Sequence, residues 1–130
     1  MINIKNGNLL EAKENIMVHQ VNVDGIMGGG VAKQLAEQFE GLEKFYSKYC
    51  ECLNNSYEFL NGNVLFYGSK DKIIVNMFSQ FPNFETDYEA MNIALNYIKK
   101  WASNNNRTIA MPYRNRMSEL QKEIGMKFIK

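Results

Sequence analysis

Three consecutive glycines, Gly28, Gly29 and Gly30, stand between an apolar run containing valine, NIMVHQVN (15–22), and a segment of helical spacing, VAKQLAEQF (31–39). Fixing glycine costs more backbone entropy than fixing any other residue, so a run of three implies a need for bare backbone. The run at 15–22 reads as a strand buried on both faces. In 31–39, Val31, Leu35 and Phe39 fall on one helical face. Strand, glycine loop and helix in that order is a unit of layered α/β sheets, which bind ligands where strand ends lead into helices.

The rest of the chain extends the pattern. INIK (2–5) alternates like a short strand and meets the turn-forming Gly7-Asn8. GLEKFYSKYCECL (41–53) predicts a second helix with Leu42, Phe45, Tyr49 and Leu53 on its face. GNVLFYGS and KIIVNMFS read as strands joined by a turn at Ser69-Lys70-Asp71. TDYEAMNIALNYIKKW predicts a helix capped by Thr86 or Asp87, with Met91, Ala94, Leu95, Ile98 and Trp101 inward. NNNR breaks it, and TIAMPY reads as a further buried strand. The expected fold is α/β in three layers, a mixed and largely parallel sheet between helices, in a single domain over residues 1–130.

The glycine loop can turn its N–H groups toward one anion, and the dipole of the following helix adds to the attraction. A phosphate or diphosphate suits such a nest. The loop lacks the Gly-Lys-Ser/Thr ending of a P-loop and the spacing of GxGxxG. A tight turn that only lets the helix pack closely is the plainer reading of the same residues.

Charge and cysteine content narrow the classes. The 130 residues carry 15 basic and 14 acidic side chains, a net charge of +1. That balance and the absence of a basic stripe give no reason to expect nucleic-acid binding. Cys50 and Cys52 lie in an apparent helix and read as reduced structural thiols. With one histidine and no CxxC, no metal site is expected. No signal peptide or membrane span is apparent, so a soluble, cytoplasmic protein is expected.

The stretch HQVNVDGIMGGGVAKQL (19–35) resembles the first phosphate loop of the macrodomains, modules that bind ADP-ribose. It is most similar to the branch of bacterial and phage macrodomains, ADP-ribose 1″-phosphate phosphatases and the terminal ADP-ribose protein glycohydrolase. Gly7-Asn8-Leu9-Leu10, NMFSQ with TDYEA, and IAMPY agree in order, so the resemblance covers residues 1–113. It implies a protein that binds ADP-ribose or a derivative, needs no cofactor, and has weak hydrolysis of ADP-ribosyl esters or of the 1″-phosphate as its chemistry. It implies ligand contacts at Asn8, where the family usually has aspartate, and at Leu9, Asn22, Gly28, Gly29, Gly30, Val31, Ser79 and Gln80. Catalytic roles fall to Asn22 and His19, although His19 also reads as a buried, hydrogen-bonded strand histidine.

The resemblance stops after IAMPY. The family's second glycine-rich loop has no counterpart in YRNRMSEL (113–120), and neither the branch's lysine nor its aspartate is present. Permitted codons for SELQKEIGMKFIK (118–130) also encode, from the third base, GIAEGDWNEVYK, a string similar to the family's loop. The loop is thus missing or frameshifted, and residues 114–130 form an atypical tail. Leu120, Ile124 and Phe128 give that tail the spacing of a short amphipathic helix. A tail that fails to cover the sheet leaves apolar surface, so a homo-oligomer is expected. The alternative function is a non-catalytic, binding-deficient remnant that self-associates.

Overall fold

A computed structural model describes residues 4–5, 9–105, 107–112 and 127–129. Its strands are β1 (Ile4–Lys5), β2 (Ile16–Val21), β3 (Val64–Ser69), β4 (Lys72–Phe78), β5 (Ile109–Pro112) and β6 (Lys127–Ile129). Its helices are α1 (Gly30–Gln38), α2 (Leu42–Cys52), the single turn α3 (Tyr57–Leu60) and α4 (Tyr88–Asn104), with a 3-10 turn at Leu9–Glu11.

The six strands form one sheet in the order β1-β6-β5-β2-β4-β3. Every neighbouring pair is parallel except β3 with β4, which the turn at Lys70 joins as a hairpin. The sheet is therefore mixed and largely parallel.

Strand alternation sorts the core into two layers. Met17 and Val21 of β2 with Ile74 and Phe78 of β4 face α1, α2 and α3, where Leu35, Leu42, Tyr46, Cys50 and Leu60 are buried. Ile16 and Val18 with Val75 and Met77 face α4, against Met91, Ala94, Leu95 and Ile98. Helices thus cover both faces, and the outer layers close over a sheet with an apolar interior.

The helices begin as the sequence suggests, with one correction of face. Asp87, the second of the two candidate caps, accepts from the Ala90 N–H at 3.1 Å and starts α4. In α2 the buried line is Leu42, Tyr46 and Cys50, while Phe45 is exposed. The helix turns its i, i+4, i+8 row to the sheet, so Phe45 and Tyr49 lie at its margins rather than on its centre line. Phe45 packs on Tyr67 with ring centroids 5.5 Å apart.

The tail also differs from expectation. Lys127–Ile129 form a strand, Ala110 pairing with Lys127 and Met111 with Phe128 on one side. Ile4 pairs with Phe128 on the other. The expected helix therefore does not extend to Phe128: these three residues fill the gap between β1 and β5 in the sheet. Its remaining positions, including Leu120 and Ile124, lie outside the described residues, as does Asn8. No helix among the described residues is long and apolar enough to cross a membrane.

Candidate functional site

The carboxyl end of β2 opens into a cleft. His19, Asn22, Gly28, Gly29, Gly30 and Val31 line it from β2, the first loop and the start of α1. Gln80 and Phe84 reach it from the segment after β4, and Met111 and Pro112 from the end of β5. This is where ligands are expected in an open α/β sheet: outside strand ends, at the entry to a helix.

Bare backbone is the main donor surface. Gly29 is the N-cap of α1 and offers no side-chain cap. The first intrahelical bond runs from the Lys33 N–H to the Gly29 carbonyl at 3.2 Å. Among the described residues, the N–H groups of Gly28, Gly29, Gly30, Val31 and Ala32 have no partner. Such orphan donors at a helix start carry partial positive charge and favour an anion. Gly30 has φ 58°, in the left-handed region, which glycine adopts without strain. A Cβ at Gly29 or Gly30 would meet no atom within 4 Å, so the space before the loop is open.

The loop is held from behind by α2. Burial pushes the Tyr46 hydroxyl well above its ordinary range, so it stays protonated and donates to the Asn22 carbonyl at 2.5 Å. The same oxygen accepts from the Gly25 N–H at 3.3 Å. A Glu43 carboxylate oxygen accepts from the Met27 N–H at 2.6 Å, and Asn55 donates to the Val23 carbonyl at 2.8 Å. Gly25, at φ 78°, lies so near α2 that an added Cβ would sit 3.3 Å from the Ser47 hydroxyl. The glycines are flexible in principle, yet their frame is fixed.

Asn22 is buried, and its Oδ1 accepts from the Asp24 N–H at 3.0 Å. That bond orients the side chain and leaves the Nδ2 amino group free to donate.

His19 is 2% exposed and its Nε2 lies 2.6 Å from Asn76 Oδ1. Asn76 donates its Nδ2 to the Leu65 carbonyl at 3.1 Å, so its Oδ1 must accept. Nε2 therefore carries the imidazole proton, and Nδ1 is left as a buried lone pair without a partner. Burial lowers the His19 pKa from 6.5 to about 4, against a smaller opposing effect of the Asn76 bond. At neutral pH the ring is uncharged.

The structure brings most of the expected ligand residues together and sets two apart. Ser79 is fully buried, and its hydroxyl accepts from Gln20 Nε2 at 2.7 Å, beside the cleft rather than in its lining. Leu9 is 5% exposed within the core on the α1 side. Each departure has its own cause: a strand-end hydrogen bond uses up Ser79, and apolar packing uses up Leu9. Tyr46, Ile26, Met111 and Pro112 line the cleft but were not singled out from the sequence. The strand-end rule could have found Met111 and Pro112, which end a strand paired with β2. Tyr46 looked like any aromatic on a helix. Among the described residues no group of three His, Cys, Asp or Glu is placed to hold a metal ion. Burial pushes the Cys50 thiol up to about 11, which leaves it unreactive.

No family model matches the chain. The chain is 33% identical over 98 residues to an ADP-ribose 1″-phosphate phosphatase of Saccharomyces cerevisiae, a match covering 72% of this chain and 53% of that enzyme. It thus spans about half the length of that curated relative. Among solved structures, the macrodomain of Thermus aquaticus DarG superposes with a TM-score of 0.78 at 23% identity, over 99% of this chain and 96% of that one. A macrodomain protein from Streptomyces coelicolor gives 0.84 at 19% identity, over 100% and 99%. Thermosipho africanus DarTG in complex with ADP-ribose gives 0.73 at 15% identity, covering 98% of this chain and 41% of that chain. These superpositions show that the chain has the macrodomain fold.

Proposed function

We propose that the cleft binds ADP-ribose or a molecule carrying it. The observation that carries this reading is the row of unpaired N–H groups from Gly28 to Ala32 in the cleft lining at the start of α1, with open space beside Gly29 and Gly30. A diphosphate supplies the anionic oxygens such a row accepts. The free Nδ2 of Asn22 adds a donor that suits a ribose hydroxyl. A structural neighbour holds ADP-ribose, and the yeast relative is named for an ADP-ribose phosphate.

Binding rather than turnover is the principal activity in this reading. No Asp, Glu, Lys or Arg is among the described residues lining the cleft. A neutral His19 with its one proton committed to Asn76 is a poor general acid at pH 7. Backbone donors that grip the diphosphate equally in ground and transition states lower the dissociation constant without raising turnover. Hydrolysis of ADP-ribosyl esters or of the 1″-phosphate is accordingly slow.

Calorimetric titration with ADP-ribose, beside AMP and a Gly29→Glu variant, tests the reading. Gly29 is in extended backbone at φ −156° and its Cβ direction is empty, so the variant folds as the parent does. Micromolar ADP-ribose binding that the glutamate abolishes is the expected result. Equal binding by the variant would place the ligand elsewhere.

We also infer that two copies of the chain associate through the outer edge of β3. Among the described residues nothing pairs with that edge, and Ile93 and Tyr97 of α4 stand 58% and 56% exposed on the α4 side of the sheet, Tyr97 beside Phe66 of β3.

A further inference from the structure

One face of α4 is left over when the core is complete. Its buried row runs through Met91, Ala94, Leu95 and Ile98, which pack on β2 and β4. A second row, Glu89, Ile93, Tyr97 and Lys100, is exposed throughout. At 3.6 residues per turn these four lie within about 80° of arc around the helix. The row looks toward β3. A Cβ added at Gly62, just before that strand, would sit 3.5 Å from Ile93, and the Tyr97 ring lies 6.3 Å from that of Phe66. On the opposite face of the sheet Phe45, 44% exposed, packs on Tyr67 of the same strand. The unpaired edge of β3 is thus flanked on both faces by solvent-facing apolar side chains.

The exposed row of α4 also carries a direction. In chain order it reads acid, apolar, apolar, base. Neither Glu89 nor Lys100 has an ion-pair partner among the described residues. Such a row is complementary to a reversed copy of itself. Set antiparallel, it places Ile93 opposite the partner's Tyr97 and Glu89 opposite the partner's Lys100, to within about one residue of helix.

We propose that two copies pair β3 to β3 antiparallel, about a two-fold axis perpendicular to the sheet, with Glu89 and Lys100 fixing that direction. This rests on the reading of β3 as a self-association edge given above. Such an axis reverses the strand and keeps the faces, so the two α4 helices lie on the same side. Each packs on its own β4, which puts them three strand spacings apart, about 14 Å. Helices in direct contact are about 8–10 Å apart, so side chains must fill the difference. Phe66, Ile93 and Tyr97 fill the middle, and the long Glu89 and Lys100 side chains cross at the ends. A two-fold axis along the strands would instead pair β3 parallel. It would set α4 beside the partner's α2 and keep Glu89 away from the partner's Lys100. Only the antiparallel arrangement gains two facing Glu–Lys pairs. The clefts, at the far end of β2, then open at opposite ends of the joined sheet and neither is covered.

Sedimentation equilibrium on the wild type, Glu89→Lys, Lys100→Glu, the double exchange and Lys99→Glu tests the pairing. All are exposed positions, so the variants melt as the wild type does. Each single change at Glu89 or Lys100 turns two attractive pairs into repulsive ones and is expected to weaken the dimer about tenfold. The double exchange restores both pairs with signs reversed, and with them the wild-type affinity. Lys99 lies on the other flank of α4, and its reversal is expected to leave the dimer unchanged. A dimer unaffected by either single change, or a double exchange as weak as the singles, would overturn the antiparallel pairing and spare the edge reading. An equal loss in Lys99→Glu would overturn it too, as a sign of net charge rather than of facing pairs. A wild type that stays monomeric at high micromolar concentration would overturn the edge reading itself, before any substitution is made.

Discussion

At His19 the strand places an imidazole where water does not reach, and acid should reveal it. Burial holds its pKa at about 4 in the folded chain against 6.5 in the unfolded one. Between those values the unfolded chain binds a proton that the folded chain refuses, so stability falls as pH drops through the window from 6.5 to 4. The full effect amounts to about 3 kcal/mol, present above pH 6.5 and lost by pH 4. Urea unfolding at pH 7 and pH 4.5 is expected to show that fall in the wild type and a smaller one in His19→Gln. Equal slopes would mean that His19 takes up its proton in the native state. The sequence could say that His19 lies in a strand, and it left open whether the ring is catalytic or merely buried. The deciding partner, Asn76, is 57 residues away, and strand register brings the two together. The glycines were more legible, because a need for bare backbone is written in residue type alone. Phe84 was not, since its left-handed conformation follows from the turn before it.

Helices and strands were read well where periodicity ran long. The central strand, α1, α4 and the β3–β4 hairpin lie close to where alternation and helical spacing put them. Errors arose where neighbouring rows of side chains compete. In α2, Phe45 and Tyr46 are both aromatic, and only the sheet beneath decides that Tyr46 points inward and holds the glycine loop. The tail erred for another reason: in SELQKEIGMKFIK a helical spacing and a strand ending coexist, and pairing with β1 and β5 claims the last residues as β6. The element with most to test is β3. VLFYGS contains no charge, proline or lysine to discourage edge pairing. Light scattering after gel filtration is expected to report a dimer for the wild type and a monomer for Phe66→Lys. A monomeric wild type at high micromolar concentration would remove the edge from the account of self-association.

Over the whole molecule, the sheet has a middle of long strands and a flank of very short ones. β2 pairs with β4 along its whole length and with β5 at Ile16 and Met17, while among the described residues β1 pairs with β6 alone, Ile4 opposite Phe128. Layer order, the two core faces and the position of the cleft could be anticipated from the alternation of elements. This flank could not, because two-residue and three-residue strands carry too little pattern. Ending the chain before Lys127 is therefore expected to release both flanking strands together. Hydrogen exchange would show the Ile4 and Lys5 amides losing protection, while Val18 and Val75 keep theirs; retained protection at Ile4 would mean that β1 has another partner. The same arrangement sets an order of events during synthesis. The first strand leaves the ribosome roughly ten seconds before its partner exists, at common elongation rates. For that interval β1 has no strand to pair with, and its place in the sheet is completed only once β6 has been made.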